Sequence, residues 1–358
     1  MSTPQHPAAA PTPGHSLKHL AVHLITPLLM CLGMALAYQG AFHQPEPHHL
    51  EVAVVGTGAQ AHGLAETLQA KAGSALDVRS VPDRATAEQQ LRDRDLVGAF
   101  VPDARNPELI VAKGNSDTSV VAATAVFTTV TDRQGVPLHV TDLTTPAAGD
   151  PTGQGLFFLL VALSIGSYAS VAAIGAAGAG FSLRIRALVG VAVSLVVSVI
   201  GIATAGPLFH VVDHDHAAIW ALGWLYSAGI VLIGIGLHSF LKKWTTLALM
   251  VLFVMLNFTS SGGIYRPELQ NGFFGALHGF WNGAGYLEGA RSILYFDGGA
   301  GLGGHVLTLA LWLLLGGAAL AAAALYEGRG RRRAAASAAA PVGASAEAEE
   351  EMEEAVAV

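Results

Sequence analysis

Three short stretches of this 358-residue chain combine residue types that could do chemistry. The first is HVVDHDH, His210–His216. Imidazole and carboxylate together suit zinc, copper or nickel, so His210, Asp213, His214 and His216 are candidate ligands. No i, i+4 helical frame fixes them, and a short loop between apolar segments must be polar anyway. No metal is therefore assigned. His43, His48 and His49 follow the first apolar segment and could approach this loop in space.

The second stretch is Asn257, Thr259, Ser260, Ser261, Gly262 and Gly263, at the end of an apolar run. Two readings stand side by side. Small residues permit close helix packing with hydroxyls bonded to backbone carbonyls, or an unwound helix end faces a conduit where freed carbonyls and hydroxyls meet substrate. The third is Glu288 with Arg291, three apart and able to pair across one helical turn. Such a pair ordinarily stabilises a partly wet surface, and at a membrane boundary it could also steer charged ligands. Neither a P-loop nor an HExxH or GxSxG centre occurs, so no enzyme activity and no cofactor are expected in this chain.

These residues belong to one larger unit, Asn257–Phe296, which is too polar and glycine-rich to span a bilayer. Leu269, Phe273, Phe274, Leu277 and Phe280 share one helical face, and Tyr286, Leu287, Ala290, Ile293 and Leu294 share another. Asn282 and Gly283 separate the two runs. The pattern predicts two short amphipathic helices forming a re-entrant hairpin over 263–303. Broken backbone at membrane depth survives only where protein or a water-filled cavity surrounds it, so the hairpin is a candidate pathway element, with Pro267, Phe273, Phe274 and Tyr286 among its marked residues.

The chain is 52% hydrophobic and 13% charged, against about a quarter charged in soluble domains. Six windows hold no Asp, Glu, Lys or Arg: Leu20–Phe42, Gly155–Phe181, Ala187–Phe209, Ala217–Leu241, Trp244–Gly262 and Val306–Tyr326. Each approaches or exceeds the ~20 residues that cross a bilayer. The expectation is a polytopic α-helical membrane protein with six transmembrane helices, beginning with an uncleaved helix over 20–42. Cys31 lies in that first window and reads as a small packed residue. Residues 1–19 and 327–358 read as disordered, the latter running from an Arg cluster that contacts lipid headgroups into an acidic block.

Arg184, Arg186, Lys242, Lys243, Arg329, Arg331, Arg332 and Arg333 occupy alternate connections. The positive-inside rule then puts both termini in the cytoplasm, and residues 43–154 and the hairpin outside. Within 43–154, strands are expected over Glu51–Gly56, Ala75–Val81, Leu96–Val101, Glu108–Ala112 and Leu138–Leu143. Helices are expected over Leu64–Ala72, Thr86–Asp93 (opened by a Thr cap) and Thr118–Thr131. Together they form an extracytoplasmic α/β domain with a mixed sheet covered by helices, inserted between helices 1 and 2. The five-helix remainder covers 155–326.

Two stretches carry a family likeness. One is AYQGAFHQPEPHHLEVAVV, Ala37–Val55, with a polar helix leading into LVGAFVP at Thr86–Pro102. The other is Thr259–Phe296, with SSGG, Pro267, the Phe273–Phe274 pair and Tyr286 to Arg291. In these and in its layout the chain resembles permease subunits of ABC exporters of the second class (ABC-2 type), in particular the phage-infection-protein (Pip) group of bacterial membrane proteins. The resemblance implies an export permease in the bacterial plasma membrane, working as a homodimer or pseudo-symmetric heterodimer. ATP would enter only through a separate P-loop ATPase subunit, and membrane lipid is the other expected partner, with no nucleic acid. Uncharged spans with outer Ser, Thr and Asn suit an amphipathic or lipid-like substrate. The alternative function is a non-transporting surface protein whose outer domain binds a peptide, envelope polymer or phage component.

Overall fold

The computed structural model describes the backbone of residues 13–338 and the side chains of 24–336. An α/β domain sits on one end of a helical bundle. Helix α1, Pro13–Phe42, leads into it. The domain then alternates β1 (Leu50–Val55), α2 (Ala59–Ala72), β2 (Leu76–Val81), α3 (Arg84–Arg92), β3 (Gly98–Val101), β4 (Glu108–Val111), α4 (Asp117–Asp132) and β5 (His139–Asp142). The sheet order is β2-β1-β3-β4-β5, antiparallel only between β3 and β4. It is the mixed sheet the sequence pattern predicts, with strand alternation sorting two cores. Val52, Val54 and Phe100 face α2 and α4, where Phe100 stacks on Phe127 at 4.9 Å between ring centroids. Ala53, Ala99 and Ile110 face α3 on the other side. Asp83, and not a threonine, caps α3, accepting the Thr86 amide at 2.8 Å.

The bundle comprises α5 (Gly155–Ala177), α6 (Leu183–Ala203), α7 (His216–Leu241), α8 (Thr245–Met250), α9 (Asn257–Ser260), α10 (Gly272–His278), α11 (Asn282–Tyr295) and α12 (Leu302–Ala338). Among the described residues, five helical segments are long and apolar enough to cross a membrane, the architecture of a multi-pass membrane protein. One of them, His216–Ser260, is 45 residues long and merges two of the expected windows. It is not straight. Lys242 takes a left-handed backbone conformation (φ 49°), and the chain doubles back there. Asn257 donates to the Tyr226 hydroxyl at 2.7 Å, although a straight helix would separate these residues by about 46 Å. Between α8 and α9 the helix widens into a π-helical stretch, Val251–Leu256.

Both ends of the bundle are marked by contacts. Arg186, Ser239 and Glu327 meet at one end, with Arg186 and the Ser239 hydroxyl donating to the Glu327 carboxylate at 2.6 and 2.8 Å. The basic connections of α6, α7 and α12 therefore lie together. At the opposite end Gly149 donates to His210 O at 3.0 Å, beside the α/β domain.

Three expectations change. The segment after Tyr326 begins as helix, since α12 continues through Arg329–Arg333 to Ala338; residues 339–358 lie outside the described residues. Likewise α1 starts at Pro13, inside the stretch read as disordered, while residues 1–12 lie outside. Cys31 is exposed on α1 rather than packed, because α1 buries little of its surface in the bundle.

Helices α7 and α12 touch so closely at Gly236 that an added Cβ would fall 2.7 Å from the Ala319 carbonyl carbon. Backbone cannot yield as a side chain does, so Gly236→Val should lower stability by about 1–3 kcal/mol through overpacking. Gly317→Val, where a Cβ meets nothing within 4 Å, should leave the thermal transition in detergent almost unmoved. Equal shifts in the two variants would refute this packing.

Candidate functional site

The site begins where α9 ends. A helix terminus leaves its last carbonyls without intrahelical partners, and here side chains of the following hairpin supply them. Gln270 Nε2 donates to Thr259 O at 2.6 Å, His278 Nδ1 to Ser260 O at 2.9 Å and Arg291 Nη1 to Gly262 O at 2.9 Å. Trp281 Nε1 reaches further back, to Leu252 O in the π-helical stretch, at 3.1 Å. Gly262 permits the turn. Its φ is +78°, and a Cβ there would lie 2.8 Å from His278 Cε1 and 3.0 Å from Glu288 Oε1.

Glu288 is the centre of a buried ionic cluster. Its Oε2 accepts from Arg94 Nη2 and, at 2.9 Å, from Arg266 Nη1, while Oε1 accepts from Arg291 Nη1 at 2.9 Å. The three guanidiniums come from the turn after α3, from the link between α9 and α10, and from α11 itself. Asn115, at the approach to α4, accepts from Arg94 Nε and Arg266 Nη1, both at 2.8 Å. Arg266 also bonds Glu268, which in turn accepts from Ser119 Oγ at 3.0 Å. Arg94 lies over the Phe296 ring at 5.6 Å, and it too adopts a left-handed backbone, φ 66°. Such a conformation costs a non-glycine residue about 1 kcal/mol or more, held here by the contacts its side chain makes.

Water is largely excluded. Glu288 is 2% and Arg291 4% exposed. Burial, and after it the charges of Arg266 and Arg291, lower the pKa of Arg94, and the Glu268 carboxylate opposes this. Arg291 is brought down to about 9, first by burial and then by Arg266. His278 falls to about 3 for the same two reasons, so its ring is neutral at physiological pH, a state that suits its donation to Ser260 O.

The residues singled out from sequence scatter around this centre. Thr259, Ser260 and Ser261 are buried, and their hydroxyls bond the carbonyls of Met255, Leu256 and Phe258 on their own helix. Asn257 donates to Phe253 O at 3.4 Å and more closely to Tyr226, whose hydroxyl also meets Ser164 at 2.5 Å. Gly263 packs against the Phe157 ring. Pro267 opens a short turn, Pro267–Leu269, and Phe274 is buried while Phe273 is exposed. Asn271 caps α10 and ties it to α1 through Gly40 O at 2.9 Å. Tyr286 packs on Tyr226 at 5.3 Å between centroids.

The hairpin differs from its expectation in one respect. Asn282 does not interrupt it but starts α11, and residues Asn282–Leu294 are all buried. The helix expected to be amphipathic is thereby enclosed on every side, and Glu288–Arg291 is a buried pair rather than a partly wet one. In the other loop His214 meets Asp213 at 2.5 Å, but His216 turns to pack at Gly206. Among the described residues no group of three or more His, Cys, Asp or Glu is placed to hold a metal ion. Sequence reasoning missed Arg94, Asn115, Arg266, Glu268, Gln270 and His278. Arg266, Glu268 and His278 carried a faint signal as polar residues inside the hairpin, whereas Arg94, in a polar turn, carried none.

Removing Glu288 would leave the buried guanidiniums of Arg94 and Arg291 without a carboxylate partner, while Arg266 keeps Glu268, so Glu288→Ala should cost about 3–5 kcal/mol or prevent folding. Arg94→Met, which keeps apolar contact with Phe296, should cost less; equal stability of Glu288→Ala and wild type in thermal unfolding would refute the arrangement. A second expectation concerns pH. Between 6.5 and about 3 the unfolded chain binds the His278 proton and the folded chain does not. Stability is therefore full above pH 6.5 and falls as pH drops, by up to about 1.4 kcal/mol per pH unit. His278→Gln, still able to donate to Ser260, should flatten that slope between pH 6.5 and 5, before most carboxylates titrate. Comparison of the chain with protein-family models, curated proteins and solved structures finds no match, so function is argued from this geometry.

Proposed function

We propose that this chain is the membrane-spanning, permease-like subunit of a bacterial exporter. In this reading it crosses the plasma membrane six times, the doubled run His216–Ser260 supplying two crossings and Lys242–Lys243 the turn between them. The basic ends of α6, α7 and α12, gathered around Glu327, face the cytoplasm under the positive-inside rule. The α/β domain is then outside, and α10–α11 form a re-entrant hairpin. A separate ATPase supplies energy, two permease subunits assemble, and the cargo is amphipathic or lipid-like, matching spans without buried charge.

The observation that carries the proposal is the Glu288 cluster. It joins the α/β domain, through Arg94 and Asn115, to α11, the enclosed helix of the hairpin. A domain that is merely anchored needs only a covalent tether. Buried charges at a junction are costly to separate and have discrete arrangements, which suits a device that transmits movement from one part to the other.

Purification of tagged protein from its native membrane in mild detergent, with mass spectrometry of what accompanies it, tests the energy source. A P-loop ATPase in fixed ratio supports the proposal; its absence from repeated preparations removes it. In reconstituted vesicles containing both subunits, Gly262→Trp, which drives a ring into His278 and Glu288, should reduce transport at least tenfold. Pro267→Leu, which loosens the turn into α10, should reduce it less.

A further inference from the structure

Among the described residues, the α/β domain exposes two large apolar side chains, Val121 at 60% and Val140 at 37%. Both lie in one groove of about 600 Å³ between α4 and β5, lined also by Val120, Thr124, Thr128 and Lys113. An isolated exposed valine needs no explanation. Here the domain's two exposed valines converge, and they do so beside an unpaired strand edge.

Strand β5 is the last in the sheet. His139 and Leu143 donate to Pro107 O and Val111 O on its paired side, at 2.9 and 2.8 Å. By the alternation of a parallel ladder, the amides and carbonyls of Val140 and Asp142 point to the open side. The sheet's other edge is protected differently. On β2, Asp77 meets His49 and Arg79 bridges to Glu51, and charges of this kind discourage strand addition. The β5 edge carries no ion pair among the described residues, and a valine faces its groove.

We infer that the α4–β5 groove docks an extended peptide strand. Its backbone adds to β5 through Val140 and Asp142, alternate apolar side chains lie over Val121 and Val140, and a carboxylate meets Lys113. This is strand addition, in which main-chain bonds give affinity and pockets for alternate side chains give selectivity. Lys113, the one charged residue of the lining, is exposed and forms no ion pair among the described residues. Size argues against a second copy as occupant. A stable interface needs roughly 800 Å² per partner, whereas a four-residue strand and one face of α4 offer a strip matched to a peptide of about five residues. The inference stands on the α/β domain alone and is independent of whether the spans transport.

The test uses the full chain in lipid nanodiscs, probed with a positional library of labelled hexapeptides bearing free or amidated C-termini. Selection of Val, Ile or Leu at alternate positions is expected. Preference for the free terminus would identify a terminal carboxylate, and selection of Asp or Glu in the amidated arm a side-chain one. Val140→Pro removes only an outward amide, a substitution an edge strand tolerates, and should weaken binding at least tenfold without moving the thermal transition. Val121→Glu should do the same through the groove, and it decides the matter if the proline variant unfolds. No enrichment over these variants overturns the inference. So does disulfide cross-linking of Val140→Cys between two copies, which would show a second chain on this edge.

Discussion

A carboxylate with almost no access to water, shared by three guanidiniums, is the constraint on which the rest of this molecule depends. Glu288 could not be buried alone, because an isolated ion loses far more hydration than any single contact returns. Arg94, Arg266 and Arg291 supply the compensation from three separate segments, so each segment's position is set by the same pair of oxygens. Asn115 and Glu268 occupy much of the remaining hydrogen-bonding capacity of Arg94 and Arg266. The arrangement is demanding in geometry more than it is generous in stability, since buried ion pairs contribute little net energy while their disruption costs a great deal.

The same physics governs the end of α9. Backbone carbonyls in a region with little water need donors, and the hairpin's Gln270, His278 and Arg291 provide them in succession. A neutral His278 fits this role, since a further cation pressed against Arg266 and Arg291 would be repelled. Hydroxyls of Thr259, Ser260 and Ser261 bond carbonyls within their own helix, so it is the hairpin, rather than these hydroxyls, that joins the helix end to neighbouring elements. Charge and hydrogen bonding thus fasten the hairpin at both of its helices.

Apolar packing reinforces the junction. Phe296, just beyond α11, enters the core beneath the α3 side of the sheet, and the Tyr295 ring lies directly against Gly114. The α/β domain is therefore held to the bundle by a seam of buried rings beside a cluster of buried charge. The first turn of α4 belongs to this junction, through Thr118 to Ile264 O and Ser119 to Glu268, whereas the groove it forms with β5 is lined by its later residues Val120 to Thr128.

Much was legible in the sequence, and for identifiable reasons. Charge-free windows mark helices long enough to cross a bilayer, because few polar groups can be left in hydrocarbon. Val52, Ala53 and Val54 lie in a β run because apolar alternation there must fill two faces at once. These are local or periodic signals that any stretch of chain carries within itself. Asp83 in place of Thr86 at a helix cap, or α12 running on to Ala338, are shifts of a few residues at element ends, where local signals are weakest. What only the tertiary structure decided is the company each residue keeps. Arg94 and Glu288 are 194 positions apart, and nothing near Arg94 distinguishes it from a solvated arginine at the end of a polar helix. Likewise Glu288 and Arg291 carry the spacing of a surface pair, and α11 became an enclosed helix only because its neighbours closed around it. Spacing along a chain determines which side chains share a face; the folding of distant segments determines whether that face meets water, and hence whether its charges are incidental or indispensable.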